Sequence, residues 1–164
     1  MIDLGMTEEH WELPDEDATR TLGARFAGTL ESGLVIYLRG ELGVGKTSFA
    51  RALLTALGVG ERIKSPTYSL VEGYQARDGR PAWHLDLYRI ADPGELEWLG
   101  LDALSDPAAV VLVEWPERGQ GALPPADMEV HLSYRGAGRH VRLQPKTARG
   151  ERLLALLDSH PGQV

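Results

Sequence analysis

The chain has 164 residues, 43% of them hydrophobic, and its 24 acidic against 17 basic side chains give a formal net charge of -7. A length within the usual span of roughly 100–200 residues per domain predicts one domain over 1–164 and disfavours a separate substrate domain. The acidity argues against a chain that grips nucleic acid alone, and the lack of any cysteine removes disulfides, thiolate metal sites and cysteine nucleophiles.

The elements follow without a repeat, a low-complexity tract or an obvious linker. The first residues are expected to be frayed. Then "LPDEDATRTLGARFAGTL" sets Leu22, Phe26 and Leu30 four apart behind an acidic front, which predicts an N-terminal packing helix. "GLVIYLRG" is a short β-branched run ended by Gly40 and predicts a buried strand. From Thr47, the apolar positions Phe49, Ala50, Leu53, Leu54 and Leu57 follow helical spacing and stop at Gly58, a helix-ending residue.

"YSLVEGYQ" and "AWHLDLYRI", parted by "ARDGR" with its Asp78-Gly79 turn signal, predict an antiparallel hairpin. Trp83, Leu85 and Leu87 alternate with His84, Asp86 and Tyr88, so one face is expected to pack and the other to be polar. "DPGELEWLGLDALSD" reads as helical, and the continuous apolar run of "AAVVLVEWP" as a buried parallel strand. "DMEVHLSY" and "GRHVRLQP" flank an "RGAG" turn as a second hairpin, and "RGERLLALLDSH" closes as an amphipathic helix. The sum is an α/β fold: a mixed central sheet with antiparallel hairpins, flanked by helices. The longest apolar run, Ala108 to Val113, falls far short of the roughly 20 residues that cross a bilayer. The acidic N-terminus lacks a signal-peptide pattern, so a soluble, cytoplasmic protein with no membrane partner is expected.

Gly40-x-x-x-x-Gly45-Lys46-Thr47 matches the phosphate-binding loop, or Walker A, pattern, and it stands where that pattern must stand, between an apolar strand and a helix. Glycines let backbone amides turn inward around phosphate oxygens, and the helix N-terminus adds its positive dipole end. The contacting residues are expected to be Glu41, Leu42, Gly43, Val44, Gly45, Lys46, Thr47 and Ser48. Lys46 would bridge the β- and γ-phosphates, and the Thr47 hydroxyl would reach a magnesium ion held by them. Nucleotide binding is the expectation.

Hydrolysis also needs acidic groups that hold metal and orient water. Asp86, on the polar strand face, could reach the metal directly or through its water, and it reads equally well as an ordinary polar-face aspartate. Glu114 ends the run "VVLVE", where ligands gather outside the carboxyl ends of strands, and fits the Walker-B position. A strand-end glutamate turned to solvent is its plainer reading. Thr67 in "SPTYS" could sense a γ-phosphate, although Ser-Pro-Thr alone is more often a turn. Trp115 could pack at the site or at a partner surface, or lie in the core. His84 has no second histidine at ligand spacing and receives no role.

These stretches together resemble the bacterial TsaE family, also called YjeE. The resemblance rests on "LPDEDATRTLG", "GELGVGKTSFARALL", "SPTYSLVEGY", "HLDLYRIADPGELEWLGL" and "VLVEWPERG", in order, and covers nearly the whole chain. It implies a P-loop NTPase fold and an ATPase that uses ATP and magnesium in tRNA processing. Lys46, Asp86 and Glu114 would be catalytic, with Thr47, Asp86 and Glu114 about the metal. Thr67 would belong to a switch-like loop, Glu114 with Trp115 would be needed for turnover, and Thr19 would lie near the nucleotide base. It also implies TsaD and TsaB homologues as partners, a complex that ATP hydrolysis resets between rounds of N6-threonylcarbamoyladenosine formation at position 37 of tRNAs, and tRNA reached only through that complex. The main alternative is a small-molecule P-loop kinase, for which "ARDGR" is too short to make a convincing lid. A GTP-dependent switch is disfavoured because the chain has no asparagine and so no Asn-Lys-x-Asp motif. A partner-binding module with a vestigial nucleotide site is disfavoured by the intact lysine, threonine and two carboxylates.

Overall fold

The computed structural model describes residues 8–60, 71–92, 94–97 and 101–159. In chain order these residues form β1 (Glu9–Leu13), α1 (Glu16–Thr29), β2 (Leu34–Arg39), α2 (Lys46–Ala56), β3 (Val71–Gln75), β4 (Pro81–Asp86), α3 (Gly94–Glu97), β5 (Val110–Glu114), β6 (Met128–Arg135), β7 (Gly138–Pro145) and α4 (Ala148–Ser159). Short 3-10 helices cover Leu101–Ser105 and Pro116–Gly119. The strands make a seven-stranded sheet in the order β1-β7-β6-β2-β5-β4-β3.

The sheet is mixed. Strands β6, β2, β5 and β4 run parallel, while β3 pairs antiparallel with β4, and β7 antiparallel with both β6 and β1. Parallel neighbours require covered faces, and β5 meets that demand with five buried residues in a row. Alternate side chains divide the core in two. Ile36, Leu38, Leu112 and Val130 face Leu22, Phe26, Phe49, Leu53 and Leu154, which belong to α1, α2 and α4. Val35, Val111, Val113 and Leu85 face Leu87, Leu96 and Leu104 on the opposite side.

Local signals explain the ends of the helices. Asp15 caps α1 by accepting a 2.8 Å bond from the Ala18 amide, and Glu16 and Asp17 lie in the first turn where the helix dipole favours them. Phe26 and Phe49 meet edge to face, centroids 5.0 Å apart, where α1 packs on α2. Beyond α2, Gly58 takes φ +76 and donates to the Thr55 carbonyl at 3.0 Å, while Val59 donates to Leu54 at 3.3 Å; only a residue at ease in the left-handed region closes a helix this way.

The structure refines the expectations in three places. The start is an edge strand, β1, because Glu9 to Leu13 pair with β7 far along the chain. Among the described residues of the stretch from Asp92, Gly94–Glu97 form α3 and Leu101–Ser105 a 3-10 helix. Finally, on the polar face of β4, His84 is buried, only 5% exposed. No helix among the described residues is long and apolar enough to cross a membrane.

Candidate active site

Because β2, β4 and β5 run parallel, their carboxyl ends open on one edge of the sheet. The register fixes what meets there: Leu38 pairs with Glu114, and Glu114 with Asp86. The glycine loop leaves β2 at that edge, and α2 begins above it at Lys46. Gly40, Gly43 and Gly45 take φ of +146, +80 and +120, backbone states open to glycine and strained for other residues. The loop is held from outside as well. Tyr134 donates to the Leu42 carbonyl at 2.9 Å, and Arg139 Nε to the Val44 carbonyl at 2.8 Å, so the β6–β7 hairpin clasps it.

Leu42, Gly43, Gly45, Lys46, Thr47, Ser48, Asp86, Glu114 and Trp115, all expected at the site, line one cavity of about 210 Å³. Thr19 is buried on the other side of the loop, where it lines a second hollow with Val44, Gly45 and Arg139. Glu41 takes part through its carbonyl, which accepts from Lys46 Nζ at 3.1 Å. Thr67 lies outside the described residues.

Lys46 is almost wholly buried. Its ammonium also donates to the Gly40 carbonyl and lies 4.0 Å from the centre of the Trp115 ring, a cation–π distance. Burial pushes its pKa down from the ordinary lysine value, and the negative charges of Glu114, Asp86 and Glu117 oppose that shift. Trp115 is held for this contact by an unusual backbone: its φ is +58, the only left-handed non-glycine among the described residues. Tyr88, which also lines the cavity, packs against it with ring centres 5.0 Å apart.

Glu114 is 2% exposed, and a carboxylate so buried requires partners. It has two. The Thr47 hydroxyl lies 2.8 and 2.9 Å from its two oxygens, and His84 Nε2 lies 2.7 Å from Oε2. On the far side of the ring, His84 Nδ1 stands 3.5 Å from Glu72 Oε1. Burial alone would push this imidazole down; hydrogen bonds and charge from Glu114 and Glu72 outweigh it and raise His84 to about 9. Asp86 stays nearer solvent and accepts from the Tyr88 amide at 3.1 Å.

The donor set fits a nucleotide with a hard cation. A hydroxyl and two carboxylates are oxygen ligands of the kind magnesium takes beside substrate phosphates. Among the described residues no cluster of three or more histidines, cysteines, aspartates and glutamates could hold a metal ion.

Reasoning from the sequence missed His84, Tyr88, Tyr134 and Arg139. For His84 the missing signal was the register with β5. The clasp by Tyr134 and Arg139 left no local trace.

The mixed sheet and its strand–glycine loop–helix unit place the chain among α/β proteins of the P-loop fold. Residues 13–141 match the family described as "Threonylcarbamoyl adenosine biosynthesis protein TsaE". The tRNA threonylcarbamoyladenosine biosynthesis protein TsaE of Haemophilus influenzae is 39% identical over 148 residues, 87% of this chain and 93% of that protein. The protein of the same name from Bacillus subtilis is 32% identical over 132 residues, 80% of this chain and 81% of that protein. The crystal structure of Bacillus subtilis YdiB superposes with a TM-score of 0.78 at 26% identity, covering 98% of this chain and all of that one. The chain belongs to the TsaE family, whose role is in the biosynthesis of threonylcarbamoyladenosine in tRNA.

Proposed function

We propose that residues 1–164 form a single P-loop ATPase domain, magnesium-dependent and cytoplasmic, that serves tRNA threonylcarbamoyladenosine formation by acting on a complex of TsaD and TsaB homologues. Hydrolysis resets that complex between rounds of N6-threonylcarbamoyladenosine formation at position 37, and tRNA is met through the complex. Carbamoyl transfer itself belongs to TsaD. The observation that carries the reading is the meeting of Thr47 with a buried Glu114 at the mouth of the glycine loop.

The backbone amides from Glu41 to Ser48 bind the phosphates, aided by the N-terminus of α2. Lys46 leaves its carbonyl partners to counter charge on the transferred phosphoryl group. A bound magnesium, held through the Thr47 hydroxyl with Asp86 and Glu114 in support, would draw negative charge from the phosphates. Glu114 orients water and takes its proton as the oxygen bonds to the γ-phosphorus. The bond from that phosphorus to the bridging oxygen breaks, and the electron pair leaves on ADP. Trp115 walls the site, Thr19 lies toward the base, and Thr67 senses the γ-phosphate.

The test is phosphate release from ATP by the full chain, with and without magnesium, TsaD, TsaB and tRNA. Release that requires magnesium and rises with the partners supports the reading. No release under any of these conditions would overturn it.

A further inference from the structure

We propose that His84 is a positioning residue for Glu114, and that Glu72 holds His84 in the orientation this requires. The proposal rests on the ATP hydrolase reading for its kinetic consequence, but its geometric content stands apart.

The relationship follows from the sheet. Glu72 pairs with His84 across β3 and β4, and His84 with Leu112 across β4 and β5. With a two-residue side-chain period, Glu72, His84, Asp86 and Glu114 all project from the face that α2 covers. His84 therefore lies between two carboxylates in a place closed to water, 2.7 Å from Glu114 Oε2 and 3.5 Å from Glu72 Oε1.

An ionised carboxylate only accepts hydrogen bonds, so Nε2 carries the proton that joins His84 to Glu114. Among the described residues Thr47 is the other side chain that hydrogen-bonds to Glu114, and on the proposed reading its hydroxyl also serves the metal. His84 has no such second duty. It is the partner that can keep Oε2 fixed while the Thr47 side of the carboxylate faces the reacting groups. Glu72 restrains the ring from behind, as outer carboxylates restrain histidines that orient reactive groups elsewhere. Tyr74 extends the chain of contacts, its hydroxyl 3.0 Å from Glu72 Oε1.

The experiment uses the full-length protein and two readouts. In the nucleotide-free protein, nitrogen-15 NMR of the imidazole should show a slowly exchanging Nε2 proton. Glu114→Gln should move that resonance strongly and Glu72→Gln should broaden or shift it. An imidazole proton indifferent to Glu114→Gln would overturn the proposal, whatever the protein does with ATP. In steady-state hydrolysis with the partners present, His84→Ala should lower kcat by about 10–100-fold with KM for ATP little changed, because an orientation is lost rather than a phosphate contact. His84→Gln, which keeps a donor near Nε2, should recover most of that loss, and Glu72→Gln should show a smaller fall of the same kind. Should His84→Ala not fold, the Gln variants decide alone: a kcat for Glu72→Gln equal to wild type, or a matched rise in KM, counts against positioning. If the wild type does not hydrolyse ATP while the NMR coupling is present, the functional reading fails and the His84–Glu114 link survives.

Discussion

Thr47 and Glu114, 67 residues apart in the chain, are joined by a hydroxyl that lies 2.8 and 2.9 Å from the two carboxylate oxygens. The contact ties the first turn of the helix that follows the glycine loop to the end of the central parallel strand. On the proposed reading, it brings the glycine loop's helix and an acidic group within reach of one cation.

Thr47→Ala should weaken ATP binding about 10–100-fold in the presence of magnesium and hardly at all in EDTA, the scale expected for losing a bond to a charged centre. Thr47→Ser should restore the magnesium effect. Calorimetric titration with and without the metal checks this, and an equal loss under both conditions would contradict it.

Lys46 is committed to the carbonyls of Gly40 and Glu41 and to the Trp115 ring. On the proposed reading a bound triphosphate would draw the ammonium away from that ring, so ATP should change the intrinsic tryptophan fluorescence. Trp115→Phe should abolish most of the change while Trp11→Phe leaves it, since Trp11 lies on β1. A signal that survives Trp115→Phe would show that the lysine does not move in this way.

Asp127 is a structural counterpart to the site. Its carboxylate accepts from the Val35 amide at 2.9 Å and from the Thr147 hydroxyl at 2.6 Å, and its carbonyl accepts from the Lys146 amide at 2.8 Å. One buried residue thereby fastens the start of β2 to the start of α4. Asp127→Ala strands a buried amide and should cost about 2–3 kcal/mol in urea unfolding, with ATP affinity unaltered. An unchanged unfolding midpoint would contradict this assignment.

Glu9 on β1 gives the molecule a pH dependence away from the site. Burial first, then the hydrogen bond and charge of Asp158, push its carboxyl up from 4.5 to about 7, with the Trp11 indole pulling the other way. A carboxyl raised on folding binds its proton more tightly in the folded state, so this group's contribution to stability is present at low pH and lost as pH rises through about 7. Glu9→Gln should therefore raise Tm relative to wild type above pH 7, and the difference should vanish toward pH 5. A difference independent of pH would rule out Glu9 as the titrating group.

Much of the fold is legible in the sequence wherever a local pattern suffices. The unit from Leu34 to Ala56 follows from an apolar run, a glycine signature and helical spacing, and β5 from its unbroken apolar residues. What escaped depends on partners distant in the chain. Strand β1 carries two glutamates and a histidine, and only its pairing with β7 makes it a strand. His84 alternates with Trp83 and Leu85 and so reads as an ordinary polar strand-face residue. Its strand lies between β3 and β5 with α2 above, however, and a polar group there is buried and must be matched by charge. The left-handed turn at Trp115 and the clasp of Tyr134 and Arg139 on the loop likewise arise from the assembled sheet.

If Glu114 drives an ATP hydrolysis step that resets a partner complex, the number of tRNA modification rounds reads that role most directly. TsaD and TsaB homologues, tRNA, ATP and magnesium are combined with wild type or with Glu114→Gln, and modified nucleoside is counted per complex. Wild type should support repeated rounds, whereas Glu114→Gln should bind ATP with near-normal affinity and stall after about one, as loss of a group used only in the chemical step requires. Repeated rounds at the wild-type rate with Glu114→Gln would contradict the account.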